Sequence, residues 1–455
     1  MRSPRTPNQP LRRLLAEAGW SGAQLARQVN ALGAERGTPL HYDRTTVAHW
    51  LAGSRPRPPV PALVAEALSR RLGRPVLLQD TGLLDTRQPG HGAGTPPGEG
   101  SAVERLDRIL RDTDRRSLAL VGAYSLAALA IPTGAPPAGD GRPAAFATPV
   151  PVGAAHVSAA RELLIVFSRS DIVFGAGSVR EPLRQYLSTT LLPWLRSDTK
   201  PAIRRDLFTV AAQLTYLCAF AHFDMNRHAA AQRLYLTSLE LAREAGDTVG
   251  QAVALRGLSV QAHELGHLTE ADHLAEHAVQ IGAHHAPPHQ QAFFLGQLAV
   301  TQAGRGDRRH TRHLLAAERC LEKSADGASA VGAFHAGSLA LQRAAVAKSQ
   351  GDHRTAARAL SLSLRHRPAD ERRSRALGLA ELAETQLMSG HLEQACRTWH
   401  DFLDILPNIR SARADDRIRT LAATLRPNAT NPAAAALLAR ARQMHPRRPR
   451  GGPSE

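Results

Sequence analysis

The chain reads as all-α: a small N-terminal helical bundle followed by a superhelix of helical hairpins. Three observations predict this. Apolar residues recur at intervals of three and four, as in Leu11, Leu14, Leu15 and Ala18, which is the spacing of one helix face. A turn residue recurs through the second half of the chain, at Asn226, Gly266, Gly306, Gly351 and Gly390, with spacings of 40, 40, 45 and 39 residues. Each is followed five positions later by a small residue (Ala231, Ala271, Thr311, Ala356 and Ala395), and each is flanked by apolar helical patterns. That period belongs to stacked hairpins, whose small residue lets the second helix approach the first. Finally, runs rich in Pro and Gly separate the helical blocks.

The first block spans residues 1–84. Helix 1 is expected from about Pro10 to Ala18, with Gly19 as its stop. Ser21 is a good N-cap for helix 2, which turns Leu25, Ala26, Val29 and Leu32 inward. Asp43 caps a third helix, Arg44 to Ala52, closed by Gly53. Its Val47, Trp50 and Leu51 face inward, and Arg44, Thr45, Ala48 and His49 face out. SRPRPP, Ser54 to Pro59, is an extended basic connection. A fourth helix buries Val60, Leu63, Val64, Ala67, Leu68 and Leu72.

Residues 85–100, DTRQPGHGAGTPPGEG from Asp85, read as a flexible linker. Residues 101–152 hold a connecting helix and a Pro/Gly/Ala-rich linker. Within them Arg115-Arg116 precede SLALVGAYSLAALAI, Ser117 to Ile131, which mimics a twin-arginine export signal. It lies far from the start of the chain and is short for a membrane span, so a packed helix is expected. Residues 153–445 form the repeat region, and 446–455 a disordered basic tail. No signal core opens the chain, so a cytoplasmic location and no membrane partner are expected.

Among 455 residues the net charge is +17, and all but three of the 57 cationic side chains are arginine. With abundant Ala, Gly and Pro, part of this is the coding bias of a GC-rich genome. The remainder favours acidic partners, nucleic acid first. Cys218, Cys320 and Cys396 stand far apart in apolar helical stretches. That excludes a CxxC zinc site or a disulfide framework and predicts buried free thiols in a reducing compartment.

One motif points elsewhere. His263-Glu264-x-x-His267 matches the zinc-protease signature, and His273 falls where one protease class keeps a third ligand. The signature needs one helix running through both histidines. Here Gly266, the turn residue of a hairpin, stands between them, and Glu270 occupies the place of the glycine that class uses to reverse its chain. Asp272, His273, Glu276 and His277 are expected on a solvated helix face, and His284, His285 and His289 near an inter-repeat loop. With no nucleophile elbow, phosphate loop or dinucleotide fingerprint, no enzymatic activity, metal or cofactor is expected.

Two resemblances add to this reading. Leu265-Gly266-His267-Leu268-Thr269-Glu270-Ala271 and Ser389-Gly390-His391-Leu392-Glu393-Gln394-Ala395 resemble tetratricopeptide repeats, though the period is longer than that family's 34 residues. Ser21-Gly22-Ala23-Gln24-Leu25-Ala26 and Thr46-Val47-Ala48-His49-Trp50-Leu51-Ala52-Gly53 resemble the helix-turn-helix of phage-repressor-like (XRE-type) regulators. Gly22 replaces that family's usual glutamine. The span from Ala26 to Val47 is about twice the family's, the inserted stretch NALGAERGTPLHY lengthening helix 2 or its turn.

The resemblance implies that helix 3 enters the major groove of double-stranded DNA, with Ser21, Arg44, Thr45, Thr46, His49, Arg55 and Arg57 at the DNA. Residues 1–75 hold 12 arginines against four acids, which fits a phosphate-facing surface. The whole architecture resembles actinobacterial regulators that join such a module to a repeat domain. It implies a transcriptional regulator, a homodimer, with a repeat domain that dimerises or receives a peptide, small molecule or protein. The alternative is a repeat scaffold whose N-terminal module binds protein rather than DNA.

Overall fold

The computed structural model describes residues 7–35, 40–57, 59–72, 76, 78–83, 101–112, 124–129, 151–324 and 334–444. The linker at 85–100, most of the apolar stretch 117–131, the segment 132–150 and the tail 446–455 lie outside the described residues. All regular structure among the described residues is helical. The chain divides into two compact units near residue 148.

The first unit is built on four helices: α1 (Gln9–Ala18), α2 (Gly22–Glu35), α3 (Arg44–Leu51) and α4 (Val60–Leu72). Their expected inward residues form one core, from Leu11, Leu14, Leu15 and Ala18 through Leu25, Val29, Val47 and Trp50 to Leu63, Val64 and Leu68. Leu51 and Leu72 are half-buried at its margin. Asn8 caps α1 by accepting from Leu11 N at 3.0 Å, and its amide donates to Thr81 O at 2.9 Å. That one side chain ties the start of the bundle to the 3-10 turn Leu78–Thr81. Arg71 on α4 donates to Ala18 O, a carbonyl at the open end of α1.

Glu66 is a buried carboxylate of α4. It pairs with Arg70 at 2.8 Å and accepts from Leu126 N at 2.9 Å, drawing the segment 124–129 onto α4. Burial raises its pKa against the pull of Arg70. A further helix, α5 (Ala102–Asp112), buries Ala102, Val103, Leu106, Ile109 and Leu110.

The second unit opens with α6 (Ala154–Phe174) and α7 (Ala176–Tyr186), the latter running through a π-turn, Leu187–Leu191, into α8 (Leu192–Arg196). Hairpins follow in sequence. They are α9 (Pro201–Asp224) with α10 (His228–Ala245), α11 (Thr248–Glu264) with α12 (Leu268–Gly282), and α13 (Pro288–Gly304) with α14 (His310–Glu322). Next come α15 (Ala336–Ser349) with α16 (His353–His366), α17 (Arg372–Met388) with α18 (Leu392–Ile405), and α19 (Ala412–Leu425) with α20 (Pro432–Met444). Neighbouring hairpins pack on one another in chain order, which is the architecture of a helical-repeat superhelix.

All five expected turn residues adopt positive φ: Asn226 at 56°, Gly266 at 82°, Gly306 at 74°, Gly351 at 76° and Gly390 at 82°. Four of the small residues five positions on are fully buried, namely Ala231, Ala271, Ala356 and Ala395. Thr311 is exposed instead. The turn after Gly306 carries extra residues, held by Asp307 accepting from Arg309 N at 2.9 Å, so α14 starts late and His310 takes the buried place.

Two other expectations need correcting. Asp272 is buried rather than solvated, because it receives the Thr301 hydroxyl of α13 at 3.0 Å and Arg305, just past the end of that helix, at 2.8 Å. Cys320 is half-exposed, while Cys218 and Cys396 are buried.

The last hairpins return onto the first. Asp171 of α6 forms a buried ion pair with Arg373 of α17. Arg410 donates its N–H to Phe174 O at 2.7 Å and accepts from Gly177 N at 2.9 Å. Ser411 donates to Asp224 at 2.9 Å, Asn226 donates to Asp416 at 2.7 Å, and Arg413 pairs with Glu264 at 2.6 Å. The guanidinium of Arg413 also lies over the Phe223 ring, 4.6 Å from its centroid. The array is therefore closed on itself.

Candidate nucleic-acid interface

Helix α3 is short and held on every inner side. Asp43 is its N-cap, accepting from Thr46 N at 2.8 Å and from the Thr46 hydroxyl at 2.7 Å. The hydroxyl bond is the main reason the Asp43 pKa is lowered. Val47 and Trp50 lock the helix to the core. Tyr42 sits edge-on to Trp50, with centroids 5.3 Å apart. The Asn30 amide of α2 donates to Tyr42 O at 2.8 Å and accepts from Tyr42 N at 2.9 Å. This two-point clamp brings the chain back to α3 after the inserted stretch, of which residues 36–39 are outside the described residues. Helix α2 itself extends to Glu35, so part of the insertion is additional helix.

Gly22 gains a physical reason here. A Cβ on it would come within 3.3 Å of Val47 Cγ1. The missing side chain lets α2 start hard against α3, and glutamine there would press on Val47.

Opposite the core, Arg44, Thr45, Ala48, His49 and Ala52 are exposed. Their spacing puts them on one face of α3 and its cap. Ala48 and Ala52 keep that face low between longer polar side chains, a feature the sequence reading passed over. Arg55 and Arg57 are exposed on the connection to α4. Thr46 is half-buried, its hydroxyl held by Asp43. Ser21 is exposed and belongs to the cap of α2: its N–H and hydroxyl both donate to Gln24 Oε1, and its Oγ accepts from Gln24 N. That is the reciprocal capping arrangement, with glutamine at the third position. Arg12, Arg13 and Arg27 add exposed positive charge on α1 and α2.

The HELGH segment lies in the other unit. His263 is near the end of α11, Gly266 makes the turn, and His267 is the N-cap of α12. The two histidines do not share a helix face. Glu264 is engaged by Arg413. Among the described residues no three His, Cys, Asp or Glu side chains gather as a metal site would require. No helix among them is long and apolar enough to cross a membrane.

A family model described as the SP15 N-terminal domain matches residues 11–84, the span of the α1–α4 bundle and the turn after it. No curated protein matches the chain.

Proposed function

We propose that this chain is a cytoplasmic DNA-binding transcriptional regulator without enzymatic activity. Its first unit reads double-stranded DNA and its repeat unit supplies dimerisation, reception of a peptide, small-molecule or protein effector, or both. The observation that carries the reading is the outer face of α3. Arg44, Thr45 and His49 project from a short capped helix whose other side is locked by Val47 and Trp50. A rigid helix with a low centre and long polar flanks suits the major groove. Arg44 can fork onto a guanine edge, Thr45 and His49 touch bases or phosphates, and Arg55 and Arg57 rest on the backbone.

The test is titration of the full chain with duplex DNA between about 50 and 200 mM salt. Binding should weaken steeply as salt rises, and a sequence selected from a random pool should bind far more tightly than the pool. Salt-independent binding, or no preference after selection, would favour the protein-binding scaffold instead.

A further inference from the structure

Helix α6 carries two adjacent large aliphatic side chains on its outer face, Ile165 at 51% exposure and Val166 at 54%. Its inner face, Val157, Ala160, Leu164, Ser168 and Asp171, is buried and turns toward α7, α9 and α17. By helix geometry the outer face runs Ser158, Ala159, Glu162, Ile165, Val166, Arg169 and Val173. All are exposed except Val173, which is half-exposed. Arg161 is drawn sideways toward α9 by Asp206, at 3.7 Å.

The order of residues along that face specifies its occupant. Turned end for end about a point between Ile165 and Val166, the face maps onto itself with matched partners. Glu162 falls on Arg169, Ser158 on Val173 and Ile165 on Val166, while Ala159 falls on the half-exposed Ile172 at the margin of the face. Acid meets base, and small meets large. A twofold interface requires that self-complementarity, because each contact occurs twice with the roles exchanged.

We propose that α6 packs antiparallel against the α6 of a second copy of this chain, about a twofold axis between Ile165 and Val166. Two helices each about 30 Å long lie side by side, their centre apolar and each end closed by one Glu162–Arg169 pair between copies. This gives the dimer of the proposed regulator its surface and rests on that reading for its purpose. Its test contains no DNA, so the two ideas fail separately.

The test is sedimentation equilibrium of the full chain. Ile165→Glu puts a carboxylate beside the axis and should weaken self-association about a hundredfold. Glu162→Arg and Arg169→Glu should each weaken it about tenfold, since each turns two attractions into two repulsions. The double variant Glu162→Arg/Arg169→Glu should return to near wild-type affinity. A mixture of the two single variants should form a heterodimer tighter than either homodimer. These positions are exposed, so the far-UV circular dichroism of each variant at about 25 °C should match wild type, while melts should fall only as far as the lost association requires; if Ile165→Glu does not fold, the charge exchange decides alone. A wild-type chain that stays monomeric at its highest soluble concentration would overturn the proposal. So would a dimer indifferent to Ile165→Glu, or single swaps that the double variant fails to rescue.

Discussion

Thr46 and Arg44 stand two positions apart on α3, yet they face different tasks. The Thr46 hydroxyl is already bound to Asp43, whereas Arg44 is exposed on the outer face. Arg44→Ala should therefore relax specificity at one base pair and cost about 1–3 kcal/mol in operator binding. Arg57→Ala should weaken binding to all sequences alike. Competition titrations at fixed salt separate the two, and an unchanged preference in Arg44→Ala would remove α3 from the groove.

A second residue-scale prediction concerns His222 in the repeat unit. Burial, helped by the nearby Arg180, Arg227, Arg233 and Arg184, lowers its pKa to about 3. The free side chain titrates near 6.5. Below that pH the unfolded chain takes up a proton that the folded chain refuses. The stability that His222 permits is full above pH about 6.5 and is lost as pH falls toward 3, by about 1 kcal/mol per pH unit. Urea unfolding between about pH 7 and pH 5 should show a shallower decline in His222→Gln than in wild type. Equal slopes would refute this.

The hairpin is the element in which most of the fold was legible. Asn226 and the four turn glycines announced themselves because a sharp reversal needs positive φ, and few residues supply it. Two glycines of the second hairpin separate backbone from packing. At Gly266, φ is 82° and an added Cβ would meet nothing within 4 Å. Gly266→Ala should cost about 1–2 kcal/mol, from the left-handed conformation alone. At Gly282 a Cβ would lie 2.4 Å from Ala252 Cβ and 2.9 Å from Phe294 Cε2. Gly282→Ala must move α12 against its neighbours and should cost more, about 3 kcal/mol. Chemical denaturation ranks the two, and the reverse order would contradict the packing described.

Other features broke the hairpin period or depended on distant partners. The late start of α14 follows from a turn hydrogen bond at Asp307, and the burial of Asp272 depends on Arg305 arriving from a different hairpin. The outer face of α3 was readable because helix period and caps are local properties. The Asn30 clamp on Tyr42 and the fit of Gly22 against Val47 were not, since each depends on where a second element lands.

At the scale of the whole molecule, the contacts joining α6, α9 and α11 to α17 and α19 link residues far apart in sequence, 202 residues for Asp171 and Arg373. No pattern of turns foretells them. Arg373 is buried against Asp171 and stacks over Phe220, 4.6 Å from the ring centroid. Arg373→Ala should destabilise the repeat unit by about 3–5 kcal/mol, because it leaves a buried carboxylate unmatched. Hydrogen exchange in α6 should rise along with that in α17. A loss confined to α17 would mean that the two ends do not support each other.

A closed array also fixes its own arithmetic. An open stack of hairpins tolerates the gain or loss of one unit, since each unit meets only its neighbours. Here Arg410 must reach Phe174 and Gly177, and Arg413 must reach Glu264. Duplicating or deleting one hairpin would carry those partners past each other. The tally of hairpins is thereby held constant, as staves are in a hooped barrel.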